Sequence, residues 1–318
     1  MIDTLNLSVW RSEQDYELSK IADSLNDVRY SKDMYDGREQ VGGRLVGEYS
    51  HDLKVYANNN VLTIKDRSIA KWFNGDNLGQ FTRRDCQQAI SVISDVLHID
   101  MMQARVTRFD MAENICMARA VGEYLQRCAM LRGKMPLDEV NGLRYPSTYS
   151  HLILYDKLAE MKANREYVSE FWNGANVLRI ERQYDNPTRY FKCVGGFRVK
   201  DLLDKEFYAG LAIDLKNDLY EIVKQPILNE IDMESVFEKG VKGLQVIGVH
   251  ALVAKCGGVD NFMFMLEKHF GNSAYERNQK SRIKKYVTEC LSYDSNDASM
   301  VDEVIEELNE MIANLQVR

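Results

Sequence analysis

The apolar positions of the chain follow two rhythms, and the change between them falls near residues 205–215. Before that point short apolar runs alternate with polar residues, the period-two spacing of half-buried strands. Residues 2–9 and 42–66 have this character. In the second stretch Arg44-Leu45-Val46-Gly47-Glu48-Tyr49, Leu53-Lys54-Val55-Tyr56 and Val61-Leu62-Thr63-Ile64 are divided by Ser50-His51-Asp52 and Asn58-Asn59-Asn60. Both dividers are rich in turn-forming residues, so the segment predicts a meander of antiparallel strands. Thr82-Arg83-Arg84-Asp85 then resembles a capping box with Asp at its third helical place. It opens a helix whose apolar face is Cys86, Ala89, Ile90, Ile93, Val96 and Leu97. Residues 104–117 predict a long strand, 119–132 a helix, 150–157 and 177–184 two more strands, and a short helix follows Arg198.

Beyond about residue 210 helical periodicity runs to the end and β-rich stretches vanish. The predicted fold class is therefore α+β, a mostly antiparallel sheet with flanking helices over residues 1–210, followed by an all-helical domain over 211–318. No internal repeat is visible. Apolar residues make up 45% of the 318 and charged residues 28%, an ordinary globular balance. Six scattered cysteines (Cys86, Cys116, Cys128, Cys193, Cys256, Cys290) show no C-x-x-C spacing, which predicts reduced thiols rather than a zinc site or disulfide framework. The opening Met1-Ile2-Asp3-Thr4-Leu5 lacks the basic-then-apolar signature of a signal peptide, and no apolar run reaches a membrane-spanning length. A cytoplasmic protein without a membrane partner is the expectation.

Three of the predicted strands carry carboxylates. In Arg105-Val106-Thr107-Arg108-Phe109-Asp110-Met111-Ala112-Glu113-Asn114, alternation puts Arg108, Asp110, Ala112 and Asn114 on one face and Phe109 and Met111 on the other. Leu152-Ile153-Leu154-Tyr155-Asp156-Lys157-Leu158-Ala159-Glu160 is an apolar strand that runs into a charged end. Val177-Leu178-Arg179-Ile180-Glu181-Arg182-Gln183-Tyr184 holds Glu181 within a strand. A carboxylate in mid-strand is costly unless it is paired or ligates a metal. Two readings stay open at this point: an all-oxygen site for Mg²⁺ or Mn²⁺, or arginine–carboxylate pairs on an exposed face.

Six short motifs occur in a telling order: Met1-Ile2-Asp3, Ser68-Ile69-Ala70-Lys71-Trp72-Phe73-Asn74-Gly75-Asp76-Asn77-Leu78, Arg108-Phe109-Asp110, Tyr155-Asp156-Lys157-Leu158-Ala159-Glu160, Leu178-Arg179-Ile180-Glu181 and Thr188-Arg189-Tyr190. In order and spacing they resemble the gene II replication proteins of filamentous phages and related phage and plasmid initiators, over roughly residues 1–205. The resemblance implies a rolling-circle initiator that nicks one strand of an origin in a divalent-metal-dependent reaction and later rejoins it. It implies Tyr190 as nucleophile, with Tyr184 as the rival, Asp110, Glu160 and Glu181 at the acidic metal positions, and Lys157 at the basic one. Arg189 or Lys157 would stabilise the phenolate, since a tyrosine with a pKa of about 10 is a poor nucleophile at neutral pH. The five histidines never bracket a single apolar residue as a pair, which favours a carboxylate-rich site. Pro187 predicts a bend between Glu181 and Tyr190. The geometric expectation is that Asp110, Glu160 and Glu181 converge with the Tyr190 hydroxyl within reach.

The formal charge of -7 speaks weakly against nucleic acid, but the acidity is concentrated near the C-terminus. Arg179, Arg182, Arg189, Lys192, Arg198 and Lys200 cluster around Tyr190, as phosphate contacts would. Residues 245–256, 260–270 and 275–290 predict three helices divided by Gly257-Gly258 and Gly271-Asn272. The third carries Arg277, Lys280, Arg282, Lys284 and Lys285 beside Tyr286, which resembles the reading helix of a helix-turn-helix as much as a solvated basic face. Val301, Val304, Ile305, Leu308, Met311, Ile312 and Leu315 form one side of a final amphipathic helix, with Asp302, Glu303, Glu306, Glu307 and Glu310 opposite, and dimerisation through it stays open. The expected partners are single- and double-stranded origin DNA, with host helicase and polymerase. The rival classes are a non-catalytic origin-binding initiator and a scaffolding protein without DNA affinity.

Overall fold

A computed structural model of the chain describes residues 1–32, 39–49, 51–65, 68–224, 238, 240–256, 258–271 and 273–292. The chain divides into two compact units, each assembled from several segments. The first comprises Met1–Asn114, Ser147–Ile153 and Arg179–Asp214, and the second Ile115–Pro146, Leu154–Leu178 and Leu215–Arg318.

The first unit is built on an antiparallel sheet. Its strands are β1 (Ile2–Trp10), β2 (Asn26–Lys32), β3 (Glu39–Val46), β4 (Asp52–Asn58), β5 (Val61–Lys65) and the start of β6 (Arg105–Met117), in the order β2-β3-β4-β5-β1-β6. The predicted meander is β3-β4-β5, with Leu45 opposite Leu53 and Val55 opposite Ile64. β1 lies between β5 and β6, antiparallel to both, and slips register between Ile2 and Leu5. Beyond β6 come the ends of two later strands, β11 (Asn176–Tyr184) and β10 (Ser150–Asp156). The helix Arg83–Leu97 lays Cys86, Ala89, Ile90, Ile93 and Leu97 into the core, and its capping box forms as expected: Thr82 Oγ1 accepts from the Asp85 amide at 3.2 Å, and Asp85 Oδ2 accepts from the Thr82 amide at 2.7 Å. Pro187 opens a one-turn helix, Pro187–Tyr190, capped by the Asn186 side chain, so the predicted bend is a helix start.

The second unit corrects one expectation. Residues 119–132 do not form one helix. A short helix, Val121–Leu125, is followed by a strand, β7 (Cys128–Leu131), paired antiparallel with β12 (Ile222–Lys224). The run Cys128-Ala129-Met130-Leu131 is continuously apolar, a pattern that fits a buried strand as well as a helix turn. Ala129 and Met130 join Val253, Val259, Met263, Leu266, Val287 and Leu291 in one buried cluster, and Arg132 and Gly133 leave the strand with φ of 50° and 73°. β12 also shows that strand structure persists past residue 210. β8 (Leu137–Glu139) and β9 (Gly142–Pro146) pair in the same unit. The helical trio is present as Gly240–Lys255, Val259–His269 and Ala274–Ser292. The amphipathic segment at 301–315 lies outside the described residues. Among the described residues no helix is long and apolar enough to cross a membrane.

Thr82 holds the entry to the helix on which much of the first core rests. Thr82→Ala lowers stability by about 1 kcal/mol, whereas Arg84→Ala, an exposed position on the same turn, stays within about 0.5 kcal/mol of wild type. Urea unfolding followed by circular dichroism measures both, and equal losses would contradict the capping account.

Candidate active site

Alternation along β6 and β11 sorts their side chains onto two faces of the sheet. Arg108, Asp110, Ala112 and Asn114 share one face with Arg179, Glu181 and Gln183. Phe109, Met111, Ile180, Arg182 and Tyr184 point the other way. The bonds confirm the sorting. Arg108 donates to Asp110 through Nε at 3.1 Å and Nη2 at 2.9 Å, and Arg179 Nε and Gln183 Nε2 donate to Glu181 at 3.2 and 2.8 Å.

On the first face two carboxylates are buried near each other. Burial pushes the Asp110 carboxyl up to about 7, the charges of Glu181 and Asp3 push in the same direction, and the Arg108 bonds oppose them. Two buried like charges are costly together, and protonation or a cation relieves them. Arg179 lies behind Glu181 and is 0% exposed. Its guanidinium donates to Asp3 Oδ2 at 2.5 Å, Asn114 Oδ1 at 3.1 Å and the Asn77 carbonyl at 3.2 Å, besides Glu181. Asp3 also accepts from Asn77 Nδ2 at 3.1 Å and from the Ser68 hydroxyl. At the open end of β11, His151 Nε2 lies 2.8 Å from Asp185 Oδ2.

The second face is aromatic. Phe109 stacks on Tyr184 with ring centroids 4.5 Å apart, and Phe191 and Phe197 extend the cluster. Tyr190 meets Tyr184 edge-on at 5.0 Å and Phe191 at 4.9 Å. The ring of Tyr190 therefore belongs to this face, because the turn carrying it leaves β11 just beyond Tyr184. Asp110 and Glu181 lie on the other face, so the Tyr190 ring and the carboxylate pair stand on opposite sides of β11. Tyr190 is 36% exposed, while Tyr184 is 2% exposed and burial raises its hydroxyl pKa far above the ordinary value. Arg189 is exposed, with its guanidinium 6.0 Å from the Tyr149 ring centroid.

Lys157 and Glu160 lie in the second unit, in the helix Lys157–Ala163 capped by Asp156. Lys157 is buried and donates to Glu160 Oε2 at 2.8 Å, and Asn164 Nδ2 donates to Glu160 Oε1 at 2.6 Å. Among the described residues no three His, Cys, Asp or Glu side chains are gathered as a metal ion requires, so Asp110 and Glu181 stand as a pair and not within a ready-made triad.

The expected DNA contacts separate by burial. Arg179 and Arg182 are corrected: both are buried, Arg179 in the network above and Arg182 with Nη1 donating to Ser150 Oγ at 3.2 Å. Arg198 is tied to the Gln103 carbonyl and to Glu13. Lys280 and Lys284 both bind Glu267, and Lys285 lies 3.8 Å from Glu289. Lys192, Arg277 and Arg282 are exposed. The sequence reading missed Asp3, Asn77, Asn114, His151 and Asp185 as members of the site. Asp3 left a signal as a carboxylate within the strand run Ile2-Asp3-Thr4-Leu5, and Asn114 as a polar residue on the Asp110 face of its strand; Asn77, His151 and Asp185 join only through partners distant in the chain.

The sequence model of the phage CRI family, described as the N-terminal part of a replication-associated protein, matches residues 1–192, more than half of the chain. No curated protein matches the chain.

Asp110 makes stability depend on pH. An unfolded aspartate titrates near about 4, whereas folding raises Asp110 to about 7. The folded chain thus holds more protons between those values, and stability falls as pH rises through that window and stays lowered above it. Asp110→Asn removes this contribution, so its stability changes less than that of wild type between pH 4 and 7. Urea unfolding in chelator across that range measures the difference, and parallel profiles would contradict the assignment.

Proposed function

The chain belongs to the phage CRI family of replication-associated proteins, the filamentous-phage gene II type of replication initiator, and on that premise we propose that it nicks one strand of origin DNA through a tyrosine and later rejoins it. The observation that carries this reading is the family match, which spans the carboxylate pair and ends at Lys192, two residues past Tyr190.

Tyr190 is the proposed nucleophile, since it is exposed where Tyr184 is buried. Its oxygen attacks the scissile phosphorus, the P–O3′ bond breaks, and a 5′-phosphotyrosine and a free 3′-hydroxyl result. The phenolic proton leaves to solvent or a base, and the departing 3′-oxygen takes one up. The ester keeps the phosphodiester energy, so attack by a 3′-hydroxyl reverses the step and rejoins the strand. Arg189 beside the tyrosine would favour the phenolate. A host polymerase would extend the 3′-end, with a host helicase opening the duplex, in the bacterial cytoplasm.

Asp110 and Glu181 fit a hard divalent cation, Mg²⁺ or Mn²⁺, by donor chemistry: two buried carboxylates whose mutual repulsion a cation would offset. Bound there, the ion would supply electrostatic stabilisation to a phosphate. The roles of Glu160 as an acidic ligand and Lys157 as the basic group stay proposals that rest on the family resemblance. We further propose that residues 211–318 form the duplex-binding part, with the exposed Arg277 and Arg282 of the helix Ala274–Ser292 reaching phosphates or base edges.

One observation favours a second reading. Tyr190 and the carboxylate pair occupy opposite faces of the sheet, as a non-catalytic origin-binding initiator would tolerate. Incubation with single-stranded origin DNA and Mn²⁺, followed by a denaturing gel, separates the two. A covalent adduct that disappears with chelator and with Tyr190→Phe establishes the nick and its nucleophile. An adduct that survives Tyr190→Phe but is lost in Asp110→Asn keeps the enzyme and moves the nucleophile. No adduct, with salt-sensitive binding of origin duplex, establishes the second reading.

A further inference from the structure

Four of the six motifs that carry the family resemblance meet around one buried guanidinium and its neighbour. Asp3 comes from the first, Ser68 and Asn77 from the second, and Arg179 and Glu181 from the fifth. Asp110, from the third, stands beside Glu181 and feels the charges of both Glu181 and Asp3. The fourth motif lies in the other unit, and the sixth, with Tyr190, stands on the aromatic face beyond the end of β11. A guanidinium is planar and presents its donors in a fixed fork, so once several are satisfied its orientation is set. Here Nη2 is given to Asp3, Nη1 to Asn77 and Asn114, and Nε is left pointing at Glu181.

We propose that Arg179 is a positioning residue for the carboxylate pair. Anchored by Asp3, Asn77 and Asn114, it fixes the Glu181 side chain beside Asp110, and the segment from Ser68 to Asn77 serves to build this anchor rather than to contact DNA. Glu181 is held at both oxygens, by Arg179 at Oε2 and by Gln183 at Oε1. Exposure rises along this face from Arg179 toward Arg108 and Gln183. Arg179 is at its closed end, Glu181 and Asp110 are nearly covered, and Arg108 and Gln183 reach partial exposure. The carboxylates thus lie between the sealed guanidinium and the more exposed Arg108 and Gln183. A merely structural ion pair would need only one partner carboxylate; this arginine uses its fork to align a second. The inference rests on the reading of Asp110 and Glu181 as the working carboxylates.

The test uses the full chain with Arg179→Lys, which keeps the charge and loses the fork, and Asp3→Asn, which keeps an acceptor and loses the charge. Three quantities are measured in each: the ¹³C-carboxyl resonance of Glu181, assigned through Glu181→Gln; the affinity for Mn²⁺ alone; and kcat and KM for nicking single-stranded origin DNA. In both variants the Glu181 resonance moves or broadens, Mn²⁺ binding weakens by about 10–100-fold as for residues that orient metal ligands, and kcat falls with KM for DNA unchanged. Variants that lose only unfolding midpoint, with the resonance and Mn²⁺ affinity of wild type, would overturn the proposal. A rise in KM for DNA at unchanged kcat would overturn it too, because Arg179 would then act on DNA. Should Arg179→Lys fail to fold, Asp3→Asn decides. Should wild type neither bind Mn²⁺ nor nick, the functional reading fails by itself, and the Glu181 resonance still decides whether the clamp exists.

Discussion

A buried guanidinium that must be neutralised where it sits is the constraint on which the first unit depends. Arg179 is sealed from solvent, and leaving such a charge without partners would cost several kcal/mol. Its partners come from β1, from the stretch around Asn77, from β6 and from its own strand, so the sheet and the segment that crosses it must register before the charge is satisfied. The same requirement brings Glu181 to Asp110. The first unit thus couples the completion of its fold to the assembly of its acidic pair.

The sheet keeps two chemistries apart by alternation alone. One face of β6 and β11 gathers Asp110, Glu181 and the arginines that hold them. The other gathers Phe109, Tyr184, Phe191 and Phe197, with Tyr190 at the rim. Apolar stacking dominates the second face, where the one buried cation named, Arg182, is bonded to Ser150, and ion pairing dominates the first. On the proposed reading, strand cleavage brings a phosphate to groups on both sides of this division, at the end of β11 where the strand gives way to Asn186 and Pro187.

Much of the architecture was legible in the sequence because it is written in local pattern. The meander of β3 to β5, the long strand β6, the strands β10 and β11, the Thr82 capping box and the helical trio each follow from spacing within about fifteen residues. The failures share a cause of the opposite kind. Cys128–Leu131 is an apolar run whose strand partner, Ile222–Lys224, lies far along the chain, and its composition suits a helix equally. Arg179 and Arg182 resemble members of a basic cluster until their partners are known. Asp3 is 176 positions from Arg179, and no window of the sequence reports that pairing. The side of the sheet on which Tyr190 falls depends on where β11 ends, which alternation leaves undetermined once Pro187 intervenes.

Fold and proposed chemistry meet at the Asp110–Glu181 pair oriented by Arg179, and anomalous diffraction from crystals soaked in Mn²⁺ tests that site most directly. The expected result is a peak within coordination distance of both carboxylates, with Arg179 still bound to Asp3. Crystals that show no peak at that pair under saturating Mn²⁺, or that place the ion on other side chains, would contradict it.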